Sequence, residues 1–159
     1  LWHGGNNGSN FENKFAEIQS KIDDLHKQMS ESKITYGEVK KRQLDLLVDG
    51  GFITRENADR QLKERTKEYK QTVKDGIISN LVNIAANAYQ YRVSHKATYD
   101  GYAIPSELVS DEIGRYSLVN GSQDKIQIKG VALGDTSWIA FCTADSEGSC
   151  SLTYSPNWE

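Results

Sequence analysis

The 159 residues carry a net charge of −3 and 37% apolar side chains, below the ~45–50% of ordinary globular chains. That balance offers no basic face for nucleic acid, and no run reaches the ~18 apolar residues that a membrane helix needs. Residues 10–75 hold 14 of the 19 Lys and Arg and 13 of the 22 Asp and Glu, whereas 76–159 hold 5 and 9. Two parts built on different rules are expected: a salt-bridged helical part, and a lightly charged part rich in Tyr, Gly and Ser.

Leu1-Trp2-His3 runs into Gly4-Gly5-Asn6-Asn7-Gly8-Ser9, so 1–9 reads as a flexible linker. Trp2 is a candidate interface remnant of a membrane anchor upstream of Leu1; a remnant of cloning is the alternative. Ser9 and Glu12 have capping-box spacing. Phe11, Phe15, Ile18, Ile22, Leu25 and Met29 then recur in steps of 4 and 3, the seam of a coiled coil over about three heptads. One narrow apolar stripe does not hold a lone helix together. The helix over about 10–31 therefore needs a partner stripe, from this chain or from a second copy.

Thr35 to Glu38 repeats the capping-box spacing, and Tyr36, Val39, Gln43, Leu46 and Leu47 mark one face of a helix over 36–48. Gly50-Gly51 stops it. Phe52-Ile53 is a short apolar turn, and Thr54 can cap a third helix. In that helix Ala58, Leu62, Thr66, Tyr69, Val73, Ile77, Leu81, Ile84, Ala88 and Tyr91 keep the 3/4 spacing, so it runs from 55 to 75 and on to 93. Gly76 is a candidate bend. The stretch 77–88 has no charge and is expected to be buried on more than one face. The segment Leu46 to Glu56 resembles the helical hairpin of the short C-terminal domain, over about 46–69. That resemblance implies an oligomerisation or interaction role.

After residue 93 the punctuation is Pro105 and Gly/Ser/Asp clusters. Between them lie Arg115–Val119, Lys125–Leu133, Trp138–Thr143 and Cys150–Tyr154, four short strands of one antiparallel sheet. Ile126, Ile128 and Val131 read as the buried side of the second strand. Cys142 and Cys150 flank a hairpin-length loop and read as a disulfide; a metal pair or free thiols are the alternatives. A disulfide implies an oxidising compartment.

The Ala/Tyr-rich helix end Leu81–Tyr91, then Ala97-Thr98-Tyr99, Ile104-Pro105-Ser106-Glu107-Leu108 and the late Cys pair resemble the globular head of type IV pilins and pseudopilins, over 77–159. A pilin's continuous apolar N-terminal helix has no counterpart in the polar stretch 10–75. The resemblance therefore implies a pilin-like head, 76–159, on a different helical stalk, 10–75.

The motifs carry little chemistry. His3, His26 and His95 have no i, i+4 ligand spacing. No Gly-x-Ser-x-Gly turn, phosphate loop or dinucleotide fingerprint occurs, and Gly130 and Gly134 read as turn glycines. Asp145 and Glu147 reach only part of a calcium-loop pattern, so a solvated turn is the default. No enzymatic activity, cofactor or metal is expected. Tyr99, Tyr102, Tyr116, Tyr154 and Trp158 exceed what so small a core should hold and form a candidate contact surface.

The expectation is an α+β protein outside the cytoplasm, in the periplasm or at the cell surface, with a protein as its partner. It is a structural subunit that multimerises through the 11–29 seam. The alternative is a monomeric ligand- or protein-binding module of the cell envelope.

Overall fold

The computed structural model describes residues 3–158, with side chains from Asn10 onward. The Trp2 anchor remnant lies outside the described residues. The chain is α+β, with three helices and one four-stranded antiparallel sheet: α1 (His3–Ser30), α2 (Tyr36–Asp49), α3 (Arg55–Ser94), β1 (Gly114–Gly121), β2 (Ile126–Ala132), β3 (Ile139–Ala144) and β4 (Cys150–Tyr154). It divides into two units, Leu1–Glu68 and Tyr69–Glu159. The division falls inside α3 and earlier than the expected 75/76, because Val73 already belongs to the second core with Tyr69 packed against it.

The local signals explain the helix ends. Thr35 Oγ1 accepts from the Glu38 N–H and Thr54 Oγ1 from the Asn57 N–H, both at 3.2 Å, which satisfies first-turn donors of α2 and α3. At the end of α2, Gly51 takes φ +79°. The Gly51 N–H then donates to the Val48 carbonyl and the Phe52 N–H to the Leu47 carbonyl, each at 2.9 Å. This is a Schellman closure. Differently from the Ser9 capping box, α1 starts at His3, so the stretch read as linker is helical. Extending a nucleated helix costs only propagation, about 1 kcal/mol per glycine relative to alanine.

In the second unit the sheet order is β1-β2-β3-β4, and α3 packs on one face of it. Ile77, Leu81, Ile84, Ala85 and Ala88 of α3 share a core with Ile126, Ile128, Ala132, Ala140, Cys142 and Ala144 of the sheet. Each fully buried aliphatic side chain stabilises by roughly 1.5–3 kcal/mol.

Four sequence readings change here. The uncharged stretch of α3 is buried on one stripe only: Ser79, Val82, Asn83 and Ala86 face water, because the sheet covers only the side of the helix that carries Ile77, Leu81, Ile84, Ala85 and Ala88. The buried side of β2 continues through Gly130 and Ala132, not Val131, since a strand alternates strictly. Gly130 is thus no turn residue. A Cβ there would sit 2.9 Å from Ile77 Cγ2 and 3.1 Å from Tyr116 Cε1, so glycine lets helix and sheet close up. Gly76 likewise stays in uninterrupted helix, where a Cβ would meet Ile113 Cδ1 at 2.8 Å.

Candidate interaction surfaces

Each unit is best judged by what its side chains leave at the surface. In the first unit the predicted seam is split. Ile18, Ile22 and Leu25 are buried, in a hairpin where α1 packs on α2, and Met29 is half-buried. Phe11 and Phe15 stay 56% and 47% exposed. Their ring centroids are 6.4 Å apart, and Phe52 packs edge-on to both, at 5.2 and 5.9 Å. The α2 end turn carries Phe52 to this place. Only the apolar character of that turn was legible beforehand, not its neighbours. Three phenylalanines in mutual contact, two of them wet, form an aromatic patch of the kind found at protein contacts.

Beside the seam runs a groove of about 530 Å³ between α1 and α2, with Leu25 and Leu46 among Lys21, Asp24, Arg42, Asp45 and Asp49. Its charges are largely committed within the unit. Arg55 reaches Asp45 at 2.6 Å and Asp59 at 3.9 Å, and Arg42 reaches Glu38 at 3.6 Å. Leu44 of α2 is buried where the sequence pattern pointed to Gln43; Val39 and Leu44 sit on the face that closes the unit.

In the second unit the candidate contact surface of aromatic residues turns inward. Tyr99 is 1% exposed and Trp158 2%, and Tyr102 and Tyr116 are buried as well; Tyr154 is half-buried. The rings of Tyr99, Tyr102, Tyr116 and Trp158 belong to the core and that of Tyr154 packs against it, and the hydroxyls of Tyr99, Tyr102 and Tyr116 find partners. Tyr99 donates to the Asp145 carbonyl, Tyr102 donates to Asn87 Oδ1 at 2.7 Å, and the Asn80 amide donates to the Tyr116 oxygen at 2.7 Å. Burial pushes the Tyr102 and Tyr116 hydroxyls up to about 12. Trp158 stacks on Trp138 at 6.2 Å and meets Tyr154 edge-on at 6.3 Å. Its indole N–H has no acceptor among the described residues. A count of aromatic residues overstated the surface because small Ala and Gly positions in the sheet make room for large rings.

Cys142 and Cys150 form the disulfide, with Cα atoms 5.7 Å apart. They are diagonal neighbours, since Cys142 faces Leu152 and Ala144 faces Cys150 in the β3–β4 register. In the loop they clip, Asp145 Oδ1 accepts from the N–H groups of Glu147 and Ser149 at 2.9 and 3.0 Å. That carboxylate shapes the turn.

A notch of about 110 Å³ in this unit has Asn80, Asn83, Glu107, Asp111 and Tyr116 in its lining, beside Ile84 and Leu108. Asp111 works there as a clasp: its Oδ1 accepts from the N–H groups of Ile113 and Gly114, its Oδ2 from Asn80. The arrangement ties the strand-entry loop to α3. His95 stacks on Tyr91 with ring centroids 3.8 Å apart. No cluster of His, Cys, Asp or Glu suited to a metal occurs among the described residues, and none of their helices is long and apolar enough to cross a membrane. Comparison of the chain with protein-family models, curated proteins and solved structures returns no match.

Proposed function

We propose that this chain is a structural and interaction subunit acting outside the cytoplasm, in a cell-surface or envelope assembly, by binding rather than catalysis. Its second unit is a pilin- or pseudopilin-like head. The element order supports that reading: a helix with an Ala/Tyr end, a long loop, an antiparallel sheet, and a disulfide across the last hairpin. The first unit is the self-association element, in keeping with the resemblance of its hairpin to the short C-terminal domain. The disulfide fits an oxidising compartment.

The observation that carries the association is the wet Phe11–Phe15–Phe52 patch. It narrows the multimerising seam from 11–29 to its first turns. The test is the solution mass by light scattering over a concentration series, for the parent chain and for Phe11→Ser/Phe15→Ser. A multimer whose mass the double change lowers to that of a smaller folded species, with unchanged far-UV circular dichroism, is the expected result. A parent chain that is monomeric throughout favours the second reading, a monomeric binding module of the envelope. The burial of Ile18, Ile22 and Leu25 against the chain's own helices speaks for that module.

A further inference from the structure

The two edges of the sheet are treated differently. On β1 the outward-facing groups are occupied: the Tyr116 N–H donates to the Val109 carbonyl at 2.8 Å, and the Asp111 N–H to the Gly114 carbonyl at 3.1 Å. A register shift between Leu118 and Asn120 interrupts the rest of that edge. Such cover and such a bulge are how sheets block unwanted pairing.

β4 has neither. The Ser155 N–H donates to the Ile139 carbonyl at 2.8 Å and the Asp145 N–H to the Ser149 carbonyl at 3.1 Å. Those two bonds flank β4 and set the parity of its ladder. Ser151 and Thr153 turn their backbone groups toward β3, and Cys150, Leu152 and Tyr154 turn theirs outward. Among the described residues no backbone group meets that outward side. The strand contains no charge and no proline, the usual protections of an edge, and the disulfide anchors it to β3.

We propose that β4 is a self-association edge, at which two copies of this chain pair their β4 strands antiparallel about Leu152. The strand is complementary to itself in this register. Leu152 meets the second copy's Leu152, and Cys150 meets Tyr154, each pair exchanging both backbone bonds, about six in all. On the solvent face, exposed Ser151 and Thr153 stand opposite each other across the two-fold axis, a hydroxyl pairing that antiparallel sheets favour. The contact is isologous and closes as a dimer. It is independent of the phenylalanine patch.

The experiment uses the whole chain carrying Phe11→Ser/Phe15→Ser, so that association through the patch is removed, and follows its mass by sedimentation equilibrium. Dimerisation is expected to persist. Adding Ser151→Lys/Thr153→Lys places lysine against lysine twice and weakens the dimer about tenfold or more. Ser151→Lys/Thr153→Glu places lysine against glutamate twice and restores it. Amide exchange at Cys150, Leu152 and Tyr154 slows with concentration, while that of Ser151 and Thr153 does not change. A chain that is monomeric up to about 1 mM, a Lys/Glu variant as weak as the Lys/Lys variant, or concentration-dependent protection at β1 instead of β4 overturns the proposal. None of these results bears on the patch, whose own test is the effect of the phenylalanine changes on the parent chain.

Discussion

One helix serves two units in opposite ways. Up to Glu68, α3 is densely charged and contributes Ala58 as its one fully buried residue; from Tyr69 on it supplies Val73, Ile77, Leu81, Ile84, Ala85 and Ala88 to a continuous core. The first unit is held by a narrow stripe, helix caps and ion pairs between half-exposed side chains such as Lys21–Glu17 and Arg42–Glu38. Such pairs contribute ~0–1 kcal/mol each. The second unit is held by a continuous core of buried side chains, among them Ile77, Leu81, Ile84, Ile126 and Ile128. Charge density therefore tells where a helix is wet, but its absence does not tell where it is dry, as Val82 and Asn83 show.

The contrast breaks most sharply at the core. Leu81→Ala should destabilise the second unit by about 3–5 kcal/mol, whereas Phe15→Ser should change the stability of the first by about 0.5 kcal/mol or less. Chemical denaturation followed by Trp fluorescence, which reports Trp138 and Trp158, checks the former, and far-UV circular dichroism the latter. Equal effects would mean that the two units share one core.

Alkali sharpens the same contrast through Tyr102 and Tyr116, both raised by burial to about 12. In the unfolded chain they ionise near 10. Between about pH 10 and 12 the unfolded chain releases protons that the folded chain keeps. Stability fully present below pH 10 is therefore lost as pH rises through 12, on the order of 2 kcal/mol per tyrosine. Urea midpoints across that window should fall for the parent chain and fall less steeply for Tyr102→Phe and Tyr116→Phe. An unchanged slope would mean that those hydroxyls are not held in the core.

A smaller loss than those of the core and of alkali belongs to the caps. Thr54→Ala removes the acceptor for the Asn57 N–H and should cost about 1 kcal/mol, read as a lower thermal midpoint of the far-UV signal. No shift would assign the start of α3 to packing alone.

Much of this architecture was legible in the chain. The starts of α2 and α3 follow Thr35 and Thr54, the end of α2 follows Gly50-Gly51, and each strand lies within a few residues of its apolar run, because capping and alternation are local physics. The disulfide was legible as a pairing of the two cysteines at hairpin distance. The aromatic residues were not: the Tyr116 ring is core because Gly130 leaves room for it, and Tyr99 and Trp158 are core among side chains far away in sequence.

The same division separates the two association surfaces. Sequence by itself determined the stripe that contains Phe11 and Phe15, since spacing along one helix decides which side chains share a face. Only the tertiary structure decided which part of the stripe stays wet, because α2 covers Ile18, Ile22 and Leu25 while the end turn brings Phe52 to the remainder. Only the tertiary structure, too, made β4 an open edge and β1 a closed one. The partners of a backbone N–H are set by which strands come to lie beside it, and side-chain identity does not encode that neighbour.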